Sequence, residues 1–546
     1  MGQGRPTGNS PPAETTAPSA DAAADSVQAQ AEEGVAQIGE THYASLPEAV
    51  SAAATGQTIT LLKDVQLSAA VTISKNLTIV ARSGAVVTIS RGEGYTGALF
   101  VQTNGTLRLG EGKTDSAGTL VLDGGANWLV DRVVTDDEGR AVLDEQGEEQ
   151  METVAAESPA VPDAYDGNAA SAAALITVTK GDLYVQETAV LQNNHSSADG
   201  GAIATTAGGN AKIHLYGEMT RNAIDGNGGV YSGNSYITVY ETARLTGNYA
   251  AGSGGAVYLY GGGIANSIRG EFTHNAAGGN GGALWLDGKS LIEDGTFTDN
   301  RADKDGALYA AVSYESRAIQ IRGGTFTGNA ARTGADAVLV PDDSNSNYGW
   351  TTVSGAAAFD DAYIGSGKYL AVAGALSGTV KVTAGGSLSD GREIARGSGY
   401  TLNQSDVDHL VLHSTAFGLK FESGAAKLQK LPEIEITAQP QAFDNIGLNT
   451  TATLSVETAV EGVRYQWYAC SDESGSGAQA IADATSSRYN APTDKVGRTY
   501  YCTLSANGYA ETWTNIVAVK VQDQNAAAPV LITTQPQSGE WGLGKA

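Results

Sequence analysis

The chain has 546 residues, including 70 glycines and 13 prolines, and its 33 Lys and Arg against 60 Asp and Glu give a formal net charge of -27. That charge argues against nucleic acid and anionic membranes as partners. Its two cysteines are too few for a disulfide scaffold or a structural zinc cluster, and no apolar run is long enough to insert into a membrane.

The amino terminus divides into a polar leader and a helix. Residues 1–37 are rich in Ala, Pro, Ser and Thr and lack the apolar core of a signal peptide, which predicts a disordered leader or linker. In the segment YASLPEAVSAAA, apolar residues recur at helical spacing, and Ser45 with Glu48 forms a capping-box pattern. β-Branched runs follow it, so we predict a short helix that caps the open end of a β structure.

Residues 128–170 interrupt the β pattern. The segment is acidic and shows no clear strand alternation. We therefore predict a loop insertion on the side of the fold.

A repeat dominates residues 194–340. It places an asparagine every 25 to 29 residues, followed five or six residues later by Gly-Gly-Ala or a close variant. A period of this length is typical of a solenoid, and segments such as KIHLYGE and AVYLYGG alternate like strands. The repeated asparagines are Asn194, Asn222, Asn248, Asn275, Asn300 and Asn329.

The repeat chemistry predicts stacked coils. Equivalent positions of parallel coils lie roughly 4.8 Å apart. The Leu, Met or Phe before Thr-x-Asn can fill the interior, the asparagine can mark a turn that tolerates left-handed backbone, and stacked amides can bond along the axis. The paired glycines allow a second tight corner.

This pairing of GGA-[ILV] with FxxN resembles the repeats of polymorphic outer-membrane proteins and related surface β-helices. The resemblance implies an all-β, right-handed parallel β-helix of the pectin-lyase-like type over residues 38–430, with a carboxy-terminal cap at 364–430. It also implies a bacterial surface protein.

A second module begins near Pro432. ITAQPQ at 436 recurs as ITTQPQ at 532, and the strand-like runs between them resemble a bacterial Ig-like β-sandwich over 431–523, with Trp467 as its core tryptophan. Residues 524–546 would begin a truncated second module. A disulfide between Cys470 and Cys502 is possible, although a regular strand would turn Cys470 away from the core.

Chemical motifs are sparse. The sequence carries no GHG or Arg-x-Lys catalytic pair and no recognisable zinc or nucleophile arrangement, so we predict no catalytic residue, metal site or cofactor. A β-helical polysaccharide lyase or glycoside hydrolase remains an alternative, because hydrolysis needs only two placed carboxylates. DGNGG at 225 and DNRADKDG at 299 leave calcium as an alternative to plain polar turns.

An aromatic column is the one feature beyond architecture. Alignment on the glycine corner predicts inward positions and, one residue later, outward positions. The inward residues are Ile203, Val230, Val257, Leu284, Leu308 and Val338. The outward residues are Ala204, Tyr231, Tyr258, Trp285, Tyr309 and Leu339. Outward aromatic rings can bind sugar or protein, or can simply stabilise an exposed sheet.

Our leading hypothesis is an adhesin-like binding protein, extracellular or attached to the cell surface or wall, and monomeric. Its β-helix would project on Ig-like modules and bind a glycan or a host or microbial surface protein through Tyr231, Tyr258, Trp285 and Tyr309. A structural spacer of the cell surface is the other alternative to the enzyme.

Overall fold

The computed structural model describes residues 34–126, 129–133, 151–155, 172–197, 200–206, 210–261, 266–332, 335, 337–342, 350–494 and 497–522. These residues form two compact units. The larger contains the residues up to Leu388 with Arg392–His413 and Leu419–Lys427, and the smaller contains Ser389–Gly391, Ser414–Gly418 and the residues from Leu428 onward. Most of the predicted leader and the predicted second module lie outside the described residues.

The strands before the repeats are short. They are β1 (Ala36–Ile38), β2 (Thr41–Tyr43), β3 (Thr58–Leu61), β4 (Val65–Leu67), β5 (Val71–Ile73), β6 (Leu77–Ala81), β7 (Val86–Arg91), β8 (Phe100–Gln102), β9 (Thr106–Leu109), β10 (Thr119–Asp123), β11 (Leu129–Val133) and β12 (Met151–Ala155).

The strands of the repeat region follow. They are β13 (Ile176–Val178), β14 (Asp182–Val185), β15 (Ala189–Gln192), β16 (His195–Ser196), β17 (Ile203–Thr205), β18 (Lys212–Leu215), β19 (Glu218–Thr220), β20 (Ala223–Ile224), β21 (Tyr231–Gly233), β22 (Tyr236–Val239), β23 (Arg244–Thr246), β24 (Tyr249–Ala250), β25 (Val257–Tyr260), β26 (Asn266–Ile268), β27 (Glu271–Thr273), β28 (Ala276–Ala277), β29 (Leu284–Asp287), β30 (Ser290–Ile292), β31 (Thr296–Thr298), β32 (Arg301–Ala302), β33 (Leu308–Ala310), β34 (Ile319–Ile321), β35 (Thr325–Thr327), β36 (Ala330–Ala331) and β37 (Ala337–Val340).

The remaining strands close the larger unit and build the smaller one. They are β38 (Thr351–Gly355), β39 (Ala358–Ile364), β40 (Leu370–Leu376), β41 (Val380–Ala384), β42 (Glu393–Gly397), β43 (Leu410–Leu412), β44 (Phe417–Glu422), β45 (Ala425–Lys430), β46 (Ile436–Ala438), β47 (Phe443–Ile446), β48 (Ala452–Ser455), β49 (Glu457–Thr458), β50 (Arg464–Cys470), β51 (Gln479–Ala480), β52 (Arg488–Ala491), β53 (Arg498–Ser505), β54 (Thr512–Trp513) and β55 (Val517–Val521).

The described helices are short. They are α1 (Leu46–Ala52), α2 (Gln404–Asp408) and a 3-10 turn at Glu315–Arg317. At α1 the Ser45 hydroxyl accepts from the Glu48 backbone NH, while the Glu48 carboxylate accepts from the Ala44 NH. Leu46, Ala49 and Val50 are buried, as the helical spacing predicts.

The larger unit is a β-helix-like stack of parallel coils. One coil contains β18, β19, β20 and β21, and each strand pairs in parallel with the equivalent strand of the next coil. The first of these ladders lies in the 16-stranded sheet, the second and fourth lie in the 21-stranded sheet, and the third forms a separate six-stranded sheet. The larger sheet holds two ladders, which meet at β39 because that strand pairs with both β35 and β37.

The interior is filled by like residues one above another. Phe272, Phe297, Phe326 and Phe359 stack with ring centroids 4.8, 4.2 and 4.4 Å apart, and all are buried. Leu245 is paired in register with Phe272 and so continues the row. The residues that precede Thr-x-Asn in successive repeats therefore form a ladder of side chains in the interior.

Most of the repeated asparagines form a buried amide ladder. From Asn222 to Asn329, each Nδ2 donates to the Oδ1 of the next asparagine across 3.1, 2.9, 2.9 and 3.0 Å. Asn194 departs from the pattern. Its Oδ1 accepts from the Arg91 guanidinium at 2.8 Å and its Nδ2 donates to the Gly201 carbonyl, so it does not bond Asn222.

The left-handed residue of the turn is the one before the asparagine, contrary to the prediction. Asn193, Arg221, Gly247, His274, Asp299 and Gly328 all have φ between 51° and 63°. The asparagine itself can then turn inward and bond along the ladder. The residue before the asparagine therefore differs in its side chain from repeat to repeat but keeps the same backbone conformation.

The paired glycines are required for different reasons. The first, as at Gly254 with φ 68°, has left-handed backbone. At the second, a Cβ on Gly229 would lie 2.2 Å from the Gly255 carbonyl oxygen of the next coil. The corner therefore depends on close backbone approach between coils.

The acidic insertion contains strand structure that we did not predict. β11 and β12 pair antiparallel over five residues each. Neither sequence, LVDRV or METVA, alternates strictly between apolar and polar residues, so these two strands carry no periodic signal that would have identified them. The rest of 128–170 lies outside the described part of the chain, apart from these two strands.

The smaller unit is a mostly antiparallel β structure with its own core, in which β47 and β55 pair in parallel. β53 pairs with β50, β54 and β55 in a six-stranded sheet, and β48 pairs with β52. Trp467, Tyr500 and Cys502 are fully buried together. Cys470 and Cys502 are both free thiols, because Cys470 lies opposite Thr499 on the other face of the β50–β53 pair.

Candidate functional site: an aromatic flank of the β-helix

The outward aromatic row lies on β25, β29 and β33. Tyr258 pairs in register with Trp285, and Trp285 with Tyr309. The rings of Tyr258 and Trp285 stack 4.1 Å apart at an interplanar angle of 14°. Tyr309 is 9% exposed, and Trp285 packs against the cluster that Tyr309 forms with its neighbours. The structure brings these three side chains together in one row, in which Tyr309 is buried.

Tyr231 was wrongly placed in the outward row. It is fully buried and pairs in register with Ile203 and Val257, which are interior residues. The corner before it reads Gly-Gly-Val, so Val230 occupies the position of the alanine in other repeats and Tyr231 takes the interior site. Ser232 holds the outward position instead.

The last repeat is shifted in the opposite direction. Ala337 pairs with Leu308 and Val338 with Tyr309, so Val338 belongs to the outward row and Leu339, fully buried, does not. The spacing itself is unchanged, because Ala337 follows Asn329 by eight residues just as Leu308 follows Asn300; Ala335 stands in the place of the second glycine, so the corner lacks the Gly-Gly-Ala landmark. Tyr363 pairs with Val338 and extends the row by another coil.

Polar and open aromatic groups lie beside the row. Tyr260 is 42% exposed and Tyr314 is 59% exposed. Arg317 lies over the Tyr314 ring at 4.9 Å and forms an ion pair with Asp287, whose Oδ1 also accepts from the Ser313 backbone NH at 3.0 Å. The alternation from Tyr258 could have identified Tyr260, whereas Tyr314 lies in an irregular turn without a sequence signal.

The Asp287 carboxylate interacts electrostatically with Tyr258 of the aromatic row. Burial, with a smaller effect from the Asp287 carboxylate, raises the pKa of Tyr258. Its hydroxyl is therefore a neutral hydrogen-bond donor under ordinary conditions. Asp287 is largely buried and stands opposite Tyr260 in the β25–β29 register.

The described side chains of the flank offer ring surfaces and hydrogen-bonding groups to a ligand. Stacking closes the facing surfaces of Tyr258 and Trp285, while the rings of Tyr260 and Tyr314 remain open to a ligand. Open ring faces beside a fixed carboxylate and guanidinium suit a polar molecule with apolar C–H faces, as in a sugar, or a protein side chain.

An acidic cleft is the second candidate site. Glu241, Glu271, Glu293 and Asp294 line a cavity of about 490 Å³ with Arg269. A hydrogen bond from Arg269 holds the pKa of Glu293 below its ordinary value. An ionised carboxylate bound to a guanidinium is not suited to donate a proton, so Glu293 does not fit the acid of a hydrolase.

The carboxylates proposed as calcium ligands have protein partners. Asp225 lies 2.8 Å from the ring of His195, and Asp303 forms an ion pair with Arg332. Within the described ranges, no group of three or more His, Cys, Asp or Glu side chains is placed to hold a metal ion.

No protein-family model matches the chain, and no curated protein matches its sequence. Among the described residues, no helix has both the length and the apolar character needed to cross a membrane. The candidate site therefore rests on the geometry of β25, β29 and β33 alone.

Proposed function

We propose that this protein is an extracellular, adhesin-like binding protein of a bacterial cell surface, and that its aromatic flank binds a glycan or a surface protein. One observation carries the proposal. Tyr258, Trp285 and Tyr309 stand in register on three successive coils, with the open rings of Tyr260 and Tyr314 beside them.

The architecture supports a rigid presenting surface. Backbone ladders and the asparagine amides connect each coil to the next, so the flank residues have fixed spacing. Preorganised side chains lose little conformational entropy when a ligand binds. A ligand that spans two or three coils would therefore gain contacts at a low ordering cost.

We further propose that the coils are right-handed, of the pectin-lyase-like type, and that the smaller unit is an Ig-like module. The GGA-[ILV] and FxxN repeats support the first assignment. For the second, Trp467 and Tyr500 are buried in one core, and the Trp467 indole donates to the Ser486 carbonyl at 2.8 Å. Such modules would hold the β-helix away from the cell.

The test is binding by the full chain to an array of neutral and charged glycans and to host surface proteins. We expect Tyr260→Ala and Trp285→Ala each to weaken binding at least about tenfold, because aromatic anchors carry most of a binding free energy. Trp513→Ala is the matched control, because Trp513 is 63% exposed but lies in the smaller unit.

The outcomes separate the alternatives. Unchanged binding by both flank variants would overturn the flank as the binding site. A chain that binds nothing on either array would favour a structural spacer. Release of new reducing ends from a polysaccharide, abolished by Glu271→Gln in the acidic cleft, would favour a β-helical hydrolase.

A further inference from the structure

A second stack of planar side chains lies on the 16-stranded sheet, away from the aromatic flank. Arg108 on β9, Tyr184 on β14 and His214 on β18 occupy the same register position of three successive strands. The Arg108 guanidinium lies 3.8 Å from the Tyr184 ring centroid. The rings of Tyr184 and His214 stack 4.3 Å apart at 10°.

The stack continues through hydrogen bonds. The His214 Nδ1 lies 3.2 Å from the Tyr240 hydroxyl, and the rings of Tyr240 and Tyr216 stack 3.8 Å apart. Burial, followed by the hydrogen bond with Tyr240, raises the pKa of Tyr216. Five planar groups therefore form one continuous, half-buried surface.

The orientation of the rings decides what this surface can bind. Because the rings face one another, a ligand above the sheet meets mainly their edges and hydroxyls. Ring edges carry positive electrostatic potential, unlike ring faces. The surface is thus suited to oxyanions rather than to the apolar face of a neutral sugar.

Two cations border the stack without ion-pair partners in the described part of the chain. Arg108 contacts a ring rather than a carboxylate, and Lys212 is exposed two residues before His214 on β18. Asp182, opposite Lys212, is the carboxylate that acts on the pKa of His214. In a chain with 33 cationic and 60 anionic side chains, such a cationic group needs an explanation.

We propose that the surface formed by Arg108, Tyr184, Lys212, His214, Tyr216 and Tyr240 binds a sulfated saccharide. The guanidinium, the Tyr184 phenol and the imidazole stand at one register position, the Lys212 ammonium stands two residues before it and the Tyr216 phenol two residues after it, so these groups do not share one plane. That arrangement fits the tetrahedral oxygens of a sulfate ester better than a planar carboxylate. The sugar hydroxyls would bond the tyrosine hydroxyls. The site goes beyond the aromatic flank and does not depend on it.

The experiment measures binding of the full chain to heparin, to chemically desulfated heparin and to polygalacturonate by surface plasmon resonance. We expect heparin to bind and the other two to bind at least tenfold more weakly. Arg108→Gln and Lys212→Gln should each weaken heparin binding at least tenfold. Arg244→Gln is the control, because Arg244 is 66% exposed and faces Glu271.

Acidification gives an independent readout. Burial lowers the pKa of His214, and the positive charges of Lys212 and Arg108 lower it further, whereas the Asp182 carboxylate raises it. The other groups that face the His214 ring are Tyr184 and Tyr240. The imidazole of His214 therefore becomes charged only at a pH below the ordinary pKa of histidine. Heparin binding should strengthen as the pH falls towards about 5. His214→Gln should abolish that gain.

Several results would overturn the proposal. The first is that the wild-type chain fails to bind heparin. The second is that desulfated heparin or polygalacturonate binds as tightly as heparin does. The third is that Arg108→Gln binds heparin as the wild type does while its melting temperature matches that of the wild type. Should Arg108→Gln fail to fold, Lys212→Gln decides, because Lys212 is exposed. Loss of glycan binding through Trp285→Ala with heparin binding intact would separate this site from the aromatic flank.

Discussion

The side-chain amide of Asn248 donates to the Oδ1 of Asn275 across 2.9 Å, and the backbone NH of Asn248 donates to the same oxygen across 3.0 Å. Asn275 in turn donates to the Leu245 carbonyl and to the Oδ1 of Asn300. One buried side chain thus satisfies backbone and side-chain groups on neighbouring coils. Such a network is costly to break at its middle.

Asn275→Ala should therefore destabilise the larger unit. The substitution leaves the Asn248 NH and the Leu245 carbonyl buried without their partner, which costs about 2–4 kcal/mol. Urea denaturation followed by circular dichroism measures the loss. Asn329→Ala is the control at the end of the ladder, where the side chain is 5% exposed, and it should cost less. Equal losses would contradict a ladder in which the middle carries more bonds than the end.

The second glycine of the corner should not accept a side chain. At Gly229 a Cβ would lie 2.2 Å from the Gly255 carbonyl oxygen, and that backbone is fixed by its own coil. We expect Gly229→Ala to cost about 3 kcal/mol, or to prevent folding. Gly226→Ala lies in the same corner, where the nearest atom to a new Cβ is 3.9 Å away, and should remain within about 0.5 kcal/mol of the wild type. Similar melting temperatures for the two variants would refute this account.

The sequence predicted the coil because the repeat recurs many times and is marked by asparagines and paired glycines that serve the same structural role in each coil. It could not predict the register at Tyr231 or Val338, because Val230 replaces the alanine that marks the corner in one coil and the Gly-Gly-Ala corner is absent from the other. Tyr363 was missed because β39 serves two ladders and departs from the repeat. Arg108 and Tyr184 were missed because the insertion separates them in sequence, although they pair in register.

Tyr231 and Tyr258 should behave differently when truncated. Tyr231 is fully buried, and its hydroxyl accepts from the Ser235 backbone NH at 3.1 Å. Tyr231→Ala should cost about 3–5 kcal/mol in free energy of unfolding, as expected for an aromatic core residue. Tyr258→Ala, on the half-exposed flank, should cost about 1 kcal/mol. Denaturation curves of the two variants decide, and a larger loss at Tyr258 would place Tyr231 outside the core.

The two cysteines should react readily with a thiol reagent only after the chain is unfolded. Burial raises the pKa of Cys502 to about 12 and also raises that of Cys470, so little thiolate exists near neutral pH. We expect a thiol-specific chromogenic reagent to react slowly with the native chain and to detect two thiols in denaturant without reductant. Detection of none would mean that Cys470 and Cys502 are bonded.

Asp342 should make stability depend on acid pH through Tyr363. Its Oδ2 accepts from the Tyr363 hydroxyl at 2.5 Å and its Oδ1 from the Ser366 NH at 2.6 Å, and these bonds, Tyr363 first, lower the pKa of Asp342 below its ordinary 3.8. A carboxyl whose pKa is lower in the folded chain stabilises above its unfolded pKa and loses that stabilisation as the pH falls through the folded pKa.

We therefore expect the free energy of unfolding to fall between about pH 5 and pH 2, and Tyr363→Phe to reduce that fall because the remaining Ser366 bond lowers the pKa less. Urea denaturation at both pH values measures the difference. Tyr314→Phe is the control, because its ring is 59% exposed and lies against Arg317 rather than a carboxylate. If Tyr363→Phe and the wild type lose the same stability on acidification, the hydroxyl of Tyr363 does not hold Asp342 in its ionised form.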